Sequence, residues 1–117
     1  MSAFKDAYIS AGNDYFAALE RVAGDDELLK DLMLMFIADD NWSTVKTAAA
    51  EGECEKAFRA AHSLKGSSGM LGMTAFYKIM IALTDEFRNG NLAGGIRMLP
   101  EAEREYNAVV ELIKENI

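Results

Sequence analysis

The chain has 117 residues, half of them hydrophobic and 26% charged, which is enough for one domain with a buried core and too apolar for intrinsic disorder. Its net charge of −7 argues against nucleic acid and anionic membranes as partners, because both bind basic surfaces. The lone Cys54 excludes an intrachain disulfide and a Cys-x-x-Cys metal or redox pair. No signal peptide or membrane-length apolar stretch is evident, so we expect a cytoplasmic protein. We also expect a monomer with a single domain over residues 1–117.

The N-terminal segment, residues 1–24, is expected to pack on or cap the bundle that residues 25–117 form. The pattern over residues 1–13 is ambiguous and allows a short helix. Residues 14–22 predict a brief amphipathic helix that Gly24 ends, and this helix would cover one end of the bundle.

The first long helix is predicted from the Asp25-Asp26 cap to Ala50, just before Gly52. Asp39-Asp40-Asn41 interrupts it with poor helix formers, so the helix either bends or divides there. We favour one bent helix.

Three more long helices are predicted, over residues 53–71, over residues 74–89 and from Asn91 onwards. Pro100 lies in the last of them, which therefore either kinks there or begins near that residue. Connections of a few residues favour antiparallel neighbours. The predicted fold class is therefore all-α, an antiparallel up-down-up-down four-helix bundle with an additional short N-terminal helix.

The only histidine, His62, is predicted to point away from the core. The helix over residues 53–71 has an apolar stripe at alternating steps of four and three, and its inner face is predicted to contain Ala57, Ala61, Leu64, Ser68, Leu71 and Ala75. At about 100° per residue, His62 lies roughly 140° from the middle of that stripe. Lys65 and Gly66 follow one turn later on or beside the same outer surface, and Gly69 follows after two turns.

Three glycines in this stretch need an explanation, because a glycine inside a helix costs about 1 kcal/mol relative to alanine. Close helix packing fits Gly72, which lies near the edge of the stripe. Packing fits Gly66 poorly, since that residue lies almost opposite the core. A side chain at Gly66 would instead block a partner from reaching His62, so we interpret this glycine as providing access.

The residues His62-Ser63-Leu64-Lys65-Gly66-Ser67-Ser68, closed by Leu71-Gly72, resemble the signature of histidine-containing phosphotransfer (Hpt) domains. The resemblance implies that His62 accepts and donates a phosphoryl group, that Lys65 supplies a positive charge beside it, and that Gly66 leaves room for the group. Many members of the family have a small polar residue where this chain has Met70, which removes one possible accessory hydrogen bond.

The resemblance also implies the partners, which are receiver domains of response regulators, a hybrid sensor histidine kinase, or both. The chain would need no cofactor or metal of its own, because the acidic residues of the receiver would hold the divalent metal ion. Candidate partner-docking residues near the site are Arg59, Gly69 and Met70.

The run Leu32-Met33-Leu34-Met35-Phe36-Ile37 is apolar on every side, which is more than the core of a bundle needs. Two explanations are equally good. The run is either buried further beneath the N-terminal helix, or one side of it forms a docking patch beside His62, with Met33 and Ile37 as the candidates.

Other functional classes fit less well. A histidine is largely neutral near pH 7, so one ring nitrogen is a nucleophile without a base. A carboxylate-bridged metal site needs more than one histidine, and a Ser-His-Asp hydrolase needs an oxyanion hole that a regular helix lacks. No Gly-rich nucleotide loop occurs, so we expect no ATP-dependent kinase activity. The alternative that stays open is an adaptor that is not phosphorylated and binds signalling partners through an exposed apolar helix face.

Overall fold

The computed structural model describes residues 2–117, and this part of the chain is helical with short turns and no strand. Its helices are α1 (Ser2–Ser10), α2 (Tyr15–Arg21), α3 (Asp26–Ala38), α4 (Asn41–Ala50), α5 (Cys54–Met70), α6 (Thr74–Arg88) and α7 (Leu92–Asn116). The predicted all-α class is confirmed. Met1, which belongs to the predicted N-terminal segment, lies outside the described residues.

The bundle consists of α3 followed by α4, then α5, α6 and α7. Helix α4 packs on α5, α5 on α6 and α6 on α7, and α7 closes the ring against α3 and α4. Three residues connect α4 to α5, α5 to α6 and α6 to α7, so each helix must run antiparallel to the one before it. This is the predicted up-down-up-down arrangement.

A glycine in the left-handed region ends each of α4, α5 and α6. After α5, Gly72 has φ +70°, its amide donates to the carbonyl of Gly69, and the Met73 amide donates to the carbonyl of Ser68 at 3.0 Å. This pair of hydrogen bonds is a Schellman motif, which stops the helix and turns the chain back. Gly52 and Gly90 have the same conformation, and the same bond pattern follows α4 and α6.

The favoured single helix over residues 25–50 is wrong, because the chain forms α3 and α4 separately. Asp39 is extended, with φ −74° and ψ 128°, and its side chain accepts a hydrogen bond from the Asn41 amide at 2.8 Å. An aspartate side chain that binds a nearby amide competes with the helical hydrogen bond. The interruption therefore divides the helix.

The last helix begins at Leu92 and continues through Pro100, so the option that it begins near Pro100 is wrong. The side chain of Asn91 accepts a hydrogen bond from the Gly94 amide at 3.0 Å and so caps the first turn. Ile96, in the second turn of this helix, is 40% exposed. Ala75, predicted in the stripe of the His62 helix, belongs to α6 and is also exposed.

Two helices, α1 and α2, precede the bundle, one more than the single additional helix predicted. Helix α1 packs against α7, and its Phe4 and Tyr8 are fully buried. The rings of Phe4 and Tyr8 lie 4.9 Å apart, and Tyr15 of α2 contacts Phe4 edge-on at 6.3 Å. The N-terminal segment thus contributes aromatic side chains to the core.

Candidate functional site

Helix α5 places His62 on its exposed side. The opposite side of the helix is buried against α4 and α6 and consists mainly of small residues, Ala57, Ala60, Ala61, Leu64 and Ser68. Small side chains let the three helices approach closely, which fixes the rotation of α5 about its axis. The exposed position of His62 agrees with the orientation that the periodicity predicts.

The imidazole of His62 contacts an aromatic ring of its own helix. Its centroid lies 5.8 Å from that of Phe58, one turn earlier, and the two rings are tilted by 32°. Within residues 2–117 no protein group forms a hydrogen bond with either ring nitrogen. The side chain is exposed, and neither nitrogen is occupied by a hydrogen bond to a described residue. On the next residue, the Ser63 hydroxyl accepts a hydrogen bond from the Asn41 side chain at 3.3 Å.

A groove lies beside Lys65 and Gly66, one turn after His62. It has a volume of about 450 Å³ and is lined by Arg21, Lys65, Gly66, Gly69, Met70 and Tyr77. Lys65 takes part in none of the salt bridges between described residues, so its charge is not neutralised by a neighbouring carboxylate. A Cβ atom at Gly66 would meet nothing within 4 Å. Packing therefore does not explain this glycine.

The other two glycines of the motif are packed against neighbours. A Cβ at Gly69 would lie 2.8 Å from Cε1 of Tyr77 on α6. A Cβ at Gly72 would collide with the carbonyl oxygen of Asp14. The sequence suggested that Gly72 lies inside the helix. In the structure it follows the end of α5 in the left-handed conformation. Its cost is therefore not that of a glycine in a helix.

The N-terminal segment holds the C-terminal end of α5. The last four carbonyls of a helix lack partners within it, and α5 has no basic residue in its last turn. Arg21 Nη1 donates to the carbonyls of Gly69 and Met70, at 2.9 and 3.0 Å. The donors for the next two carbonyls are the buried Tyr8 hydroxyl, 2.7 Å from Leu71 O, and the Asp14 amide, 2.8 Å from Gly72 O.

Arg21, Tyr8 and Asp14 were not predicted from the sequence to bind this end of α5. One signal was present, because the last turn has no basic side chain, so the carbonyls that the turn at Gly72 leaves without a partner need donors from elsewhere in the chain. The pattern could not show which donors these are.

The predicted docking residues are not all at one surface. Gly69 and Met70 line the groove beside Lys65, and Met70 is 40% exposed. Arg59 is exposed and pairs with Glu55 one turn earlier on α5, at 3.1 Å. Ile37 is partly buried and packs against the core.

Met33 cannot belong to a docking patch, because its side chain is fully buried. The apolar run from Leu32 to Ile37 is partly buried in the core and partly exposed, so each of the two explanations holds for some of its residues. Met33 and Phe36 are in the core, while Leu34 is 40% and Met35 is 65% exposed. A run that is apolar on every side contains no information about which side faces inward.

Two structural features bear on metals and membranes. No group of three or more His, Cys, Asp or Glu residues that could hold a metal ion occurs among the described residues. None of the helices between residues 2 and 117 is both long and apolar enough to cross a membrane.

Comparison with known proteins supports one family. The family model of the Hpt domain matches residues 8–112, which is nearly the whole chain. Searches of curated proteins and of solved structures found no significant match. The helical bundle and the matched residues, which include His62, lead to one conclusion. The chain belongs to the Hpt domain family, whose members mediate histidine phosphotransfer in phosphorelays.

Proposed function

We propose that this protein is a histidine phosphotransfer component of a two-component phosphorelay, with His62 as the residue that carries the phosphoryl group. The observation that best supports the proposal is the exposed His62 ring, without a hydrogen bond to described residues and one turn before Gly66, where a side chain would meet only open space. This arrangement has room for a phosphorylated partner.

The transfer step needs little chemistry from the chain itself. The unprotonated ring nitrogen of His62 attacks the phosphorus of an aspartyl phosphate on a receiver domain. The N–P bond forms as the O–P bond breaks, the aspartate leaves as a carboxylate, and the other ring nitrogen keeps its proton. Onward transfer to a second receiver aspartate reverses these steps.

Phosphoryl transfer depends mainly on positioning and on neutralising charge. Lys65 is the proposed source of positive charge on this chain, because it follows His62 by one helical turn and has no salt-bridge partner among residues 2–117. Acidic residues of the receiver would hold the divalent metal ion that supplies the remaining charge.

The proposed partners are response-regulator receiver domains, a hybrid sensor histidine kinase, or both. The chain would act as a phosphotransfer carrier and not as a kinase, and we place it in the cytoplasm, where receiver domains work. Gly69 and Met70, beside Lys65 in the groove, and the exposed Arg59 are the proposed docking residues.

The test is phosphoryl transfer from a receiver domain labelled on its aspartate. The wild-type protein should take up a label that acid removes and alkali does not, as expected for a phosphoramidate. Because His62 is the only histidine, His62→Gln should abolish this label completely while circular dichroism shows an unchanged helical fold.

The same labelling experiment distinguishes a phosphorelay protein from an adaptor that is not phosphorylated. Receiver binding by the wild-type protein without label on His62 would favour an adaptor. Acid-labile label on the His62→Gln variant would show that the acceptor is a different residue. Either result would overturn the proposal.

A further inference from the structure

The ring of His62 is exposed, yet transfer within a docked complex requires that its nucleophilic nitrogen point at the phosphorus. Displacement reactions are most efficient when the reacting atoms are already close and aligned. An exposed side chain without hydrogen bonds would sample several rotamers, so something else must restrict this ring.

Phe58 is placed to do so. It lies four residues before His62, and side chains with this spacing are neighbours on a helix surface. Helical side chains also lean toward the N-terminus, which brings the imidazole over the Phe58 ring. The separation of 5.8 Å and the tilt of 32° are within the range of favourable aromatic pairs. A phenyl ring forms no hydrogen bond with the imidazole nitrogens, so this contact leaves both of them without a bonded partner.

Phe58 is itself held from a second helix. It is half-buried and packs against the core. The guanidinium of Arg88, in the last turn of α6, lies 5.6 Å from the Phe58 ring centroid, within the range of a cation–π interaction. Arg88 Nη1 is 2.9 Å from the carboxylate of Asp85. Asp85, Arg88, Phe58 and His62 thus form a continuous series of contacts from α6 to the imidazole.

We propose that Phe58, held by Arg88, is a positioning residue that keeps the His62 ring in the orientation required for phosphoryl transfer. This inference rests on the proposed function of His62. Phe58 does not contact the phosphoryl group and takes no part in the chemical step. Its effect should therefore be confined to transfer between docked proteins.

The first measurement is the NMR spectrum of the imidazole, which is simple because the chain has one histidine. The Phe58 ring current should shift the carbon-bound protons of His62 away from the values of an unstructured histidine. Phe58→Leu should move both signals to those values, and Phe58→Tyr should keep them near the wild-type positions. The matched control is Phe16→Leu, the same substitution at an exposed phenylalanine of α2, which should change neither signal.

The second measurement is the rate of transfer from a phosphorylated receiver domain at increasing receiver concentration. Phe58→Leu should lower the rate constant at saturating receiver by about three- to tenfold, the range expected for loss of an aromatic pair. The half-saturating concentration should stay unchanged. Phe58→Tyr should restore the rate, and Arg88→Gln, which keeps the phenyl ring, should lower it by about twofold.

A small phosphoryl donor shows whether slower transfer in Phe58→Leu comes from lost positioning of His62 or from a loss of its reactivity as a nucleophile. Free phosphoramidate can approach the imidazole from any direction, so Phe58→Leu should react with it at the wild-type rate. Such a result, together with slower transfer from the receiver, would support positioning. It would also show that His62 still accepts a phosphoryl group.

Three results would overturn the inference: unchanged His62 signals in Phe58→Leu, an unchanged rate constant at saturating receiver, or a change confined to the half-saturating concentration, which would assign Phe58 to docking. None of these would affect the proposed function, which fails only if His62→Gln still carries acid-labile label or the wild-type protein carries none. If Phe58→Leu is destabilised, the test rests on Arg88→Gln, which keeps the phenyl ring at position 58 and should still lower the rate constant by about twofold.

Discussion

The exposed side of α5 is open around His62 and Gly66, whereas its C-terminal end, from Gly69 to Gly72, is closely covered. At Gly66 an added Cβ would meet nothing within 4 Å, while at Gly69 and Gly72 it would meet Tyr77 and Asp14. Each of the last four carbonyls of this stretch receives a donor from the N-terminal segment. Similar glycines in one motif therefore have different purposes.

This contrast suggests how an open site remains ordered. A residue that must meet a partner protein cannot be covered by its own chain, so rigidity has to come from the adjoining structure. The covered end holds the helix in place, and the open part then needs only local contacts such as that between Phe58 and His62. Substitutions at the covered end should lower stability, whereas substitutions at Gly66 should keep or raise stability and, when bulky, slow phosphoryl transfer.

The largest change in stability is expected at the covered end. Gly72→Ala should lower the free energy of unfolding by about 3 kcal/mol, because alanine is strained at φ +70° and its Cβ would collide with the Asp14 carbonyl. Denaturant unfolding measures this loss.

The control for Gly72→Ala is Gly52→Ala, at φ +76° with nothing within 4 Å of the added Cβ. It retains the backbone strain without the collision and should lose only about 1 kcal/mol. Equal losses in the two variants would mean that the contact between Gly72 and Asp14 contributes nothing.

A smaller effect should follow from titrating two tyrosines whose pKa is raised, of which Tyr8 donates a hydrogen bond to the covered end. Burial raises the pKa of Tyr8 above its ordinary value near 10, and burial together with nearby carboxylates, Asp39 first, raises the pKa of Tyr106. Above about pH 10 the unfolded chain loses these protons while the folded protein keeps them. These two groups therefore add no pH dependence to the free energy of unfolding below this pH and lower it above, by at most about 1.4 kcal/mol per pH unit for each group.

Denaturant unfolding between pH 8 and pH 11 tests this pH dependence. Tyr8→Phe removes one of the titrating groups and should make the alkaline decline shallower. At pH 8 the same variant should already be less stable by about 1 kcal/mol, because the Leu71 carbonyl loses its donor. An alkaline decline as steep as that of the wild-type protein would show that Tyr8 does not contribute to it.

The smallest change in stability is expected at the open region, where it should have the opposite sign. Gly66→Ala should raise the free energy of unfolding by about 0.5–1 kcal/mol, because alanine favours the helix and its Cβ meets nothing. Gly66→Leu should retain this stability but lower transfer from a phosphorylated receiver by at least about tenfold, because the side chain would obstruct the partner.

The matched variant for the open region is Gly69→Ala, whose Cβ would press on the Tyr77 ring and should destabilise the protein by about 1 kcal/mol. Wild-type transfer by Gly66→Leu would contradict the access argument. Destabilisation of Gly66→Ala would contradict the open geometry.

Local periodicity was sufficient for α5 and α6 and for the side of α5 that faces outward. The stripe over α5 has a clear phase, because apolar and polar residues alternate with the helical period, and it places His62 outside. The run from Leu32 to Ile37 lacks such a phase. Its inward residues could not be predicted, and Met33 was placed on the wrong side.

From the sequence alone, the interruption at Asp39 allowed either a bend in one helix or a division into two. Propensity ranks residues as poor helix formers but does not say whether a helix bends or ends. Here the Asp39 side chain binds the Asn41 amide, and that local hydrogen bond decides in favour of two helices.

The sequence by itself determined the all-α bundle, the exposed His62 and the Hpt resemblance, because each depends on residues that are close together in the chain. Only the tertiary structure decided what covers the end of α5 and what holds Phe58 from the neighbouring helix. Arg21 and Tyr8 reach carbonyls 48 and 63 residues away, and Arg88 on α6 reaches Phe58 on α5. Hydrogen bonds and ring contacts over such separations depend on how the helices pack, and no local pattern of residues encodes them.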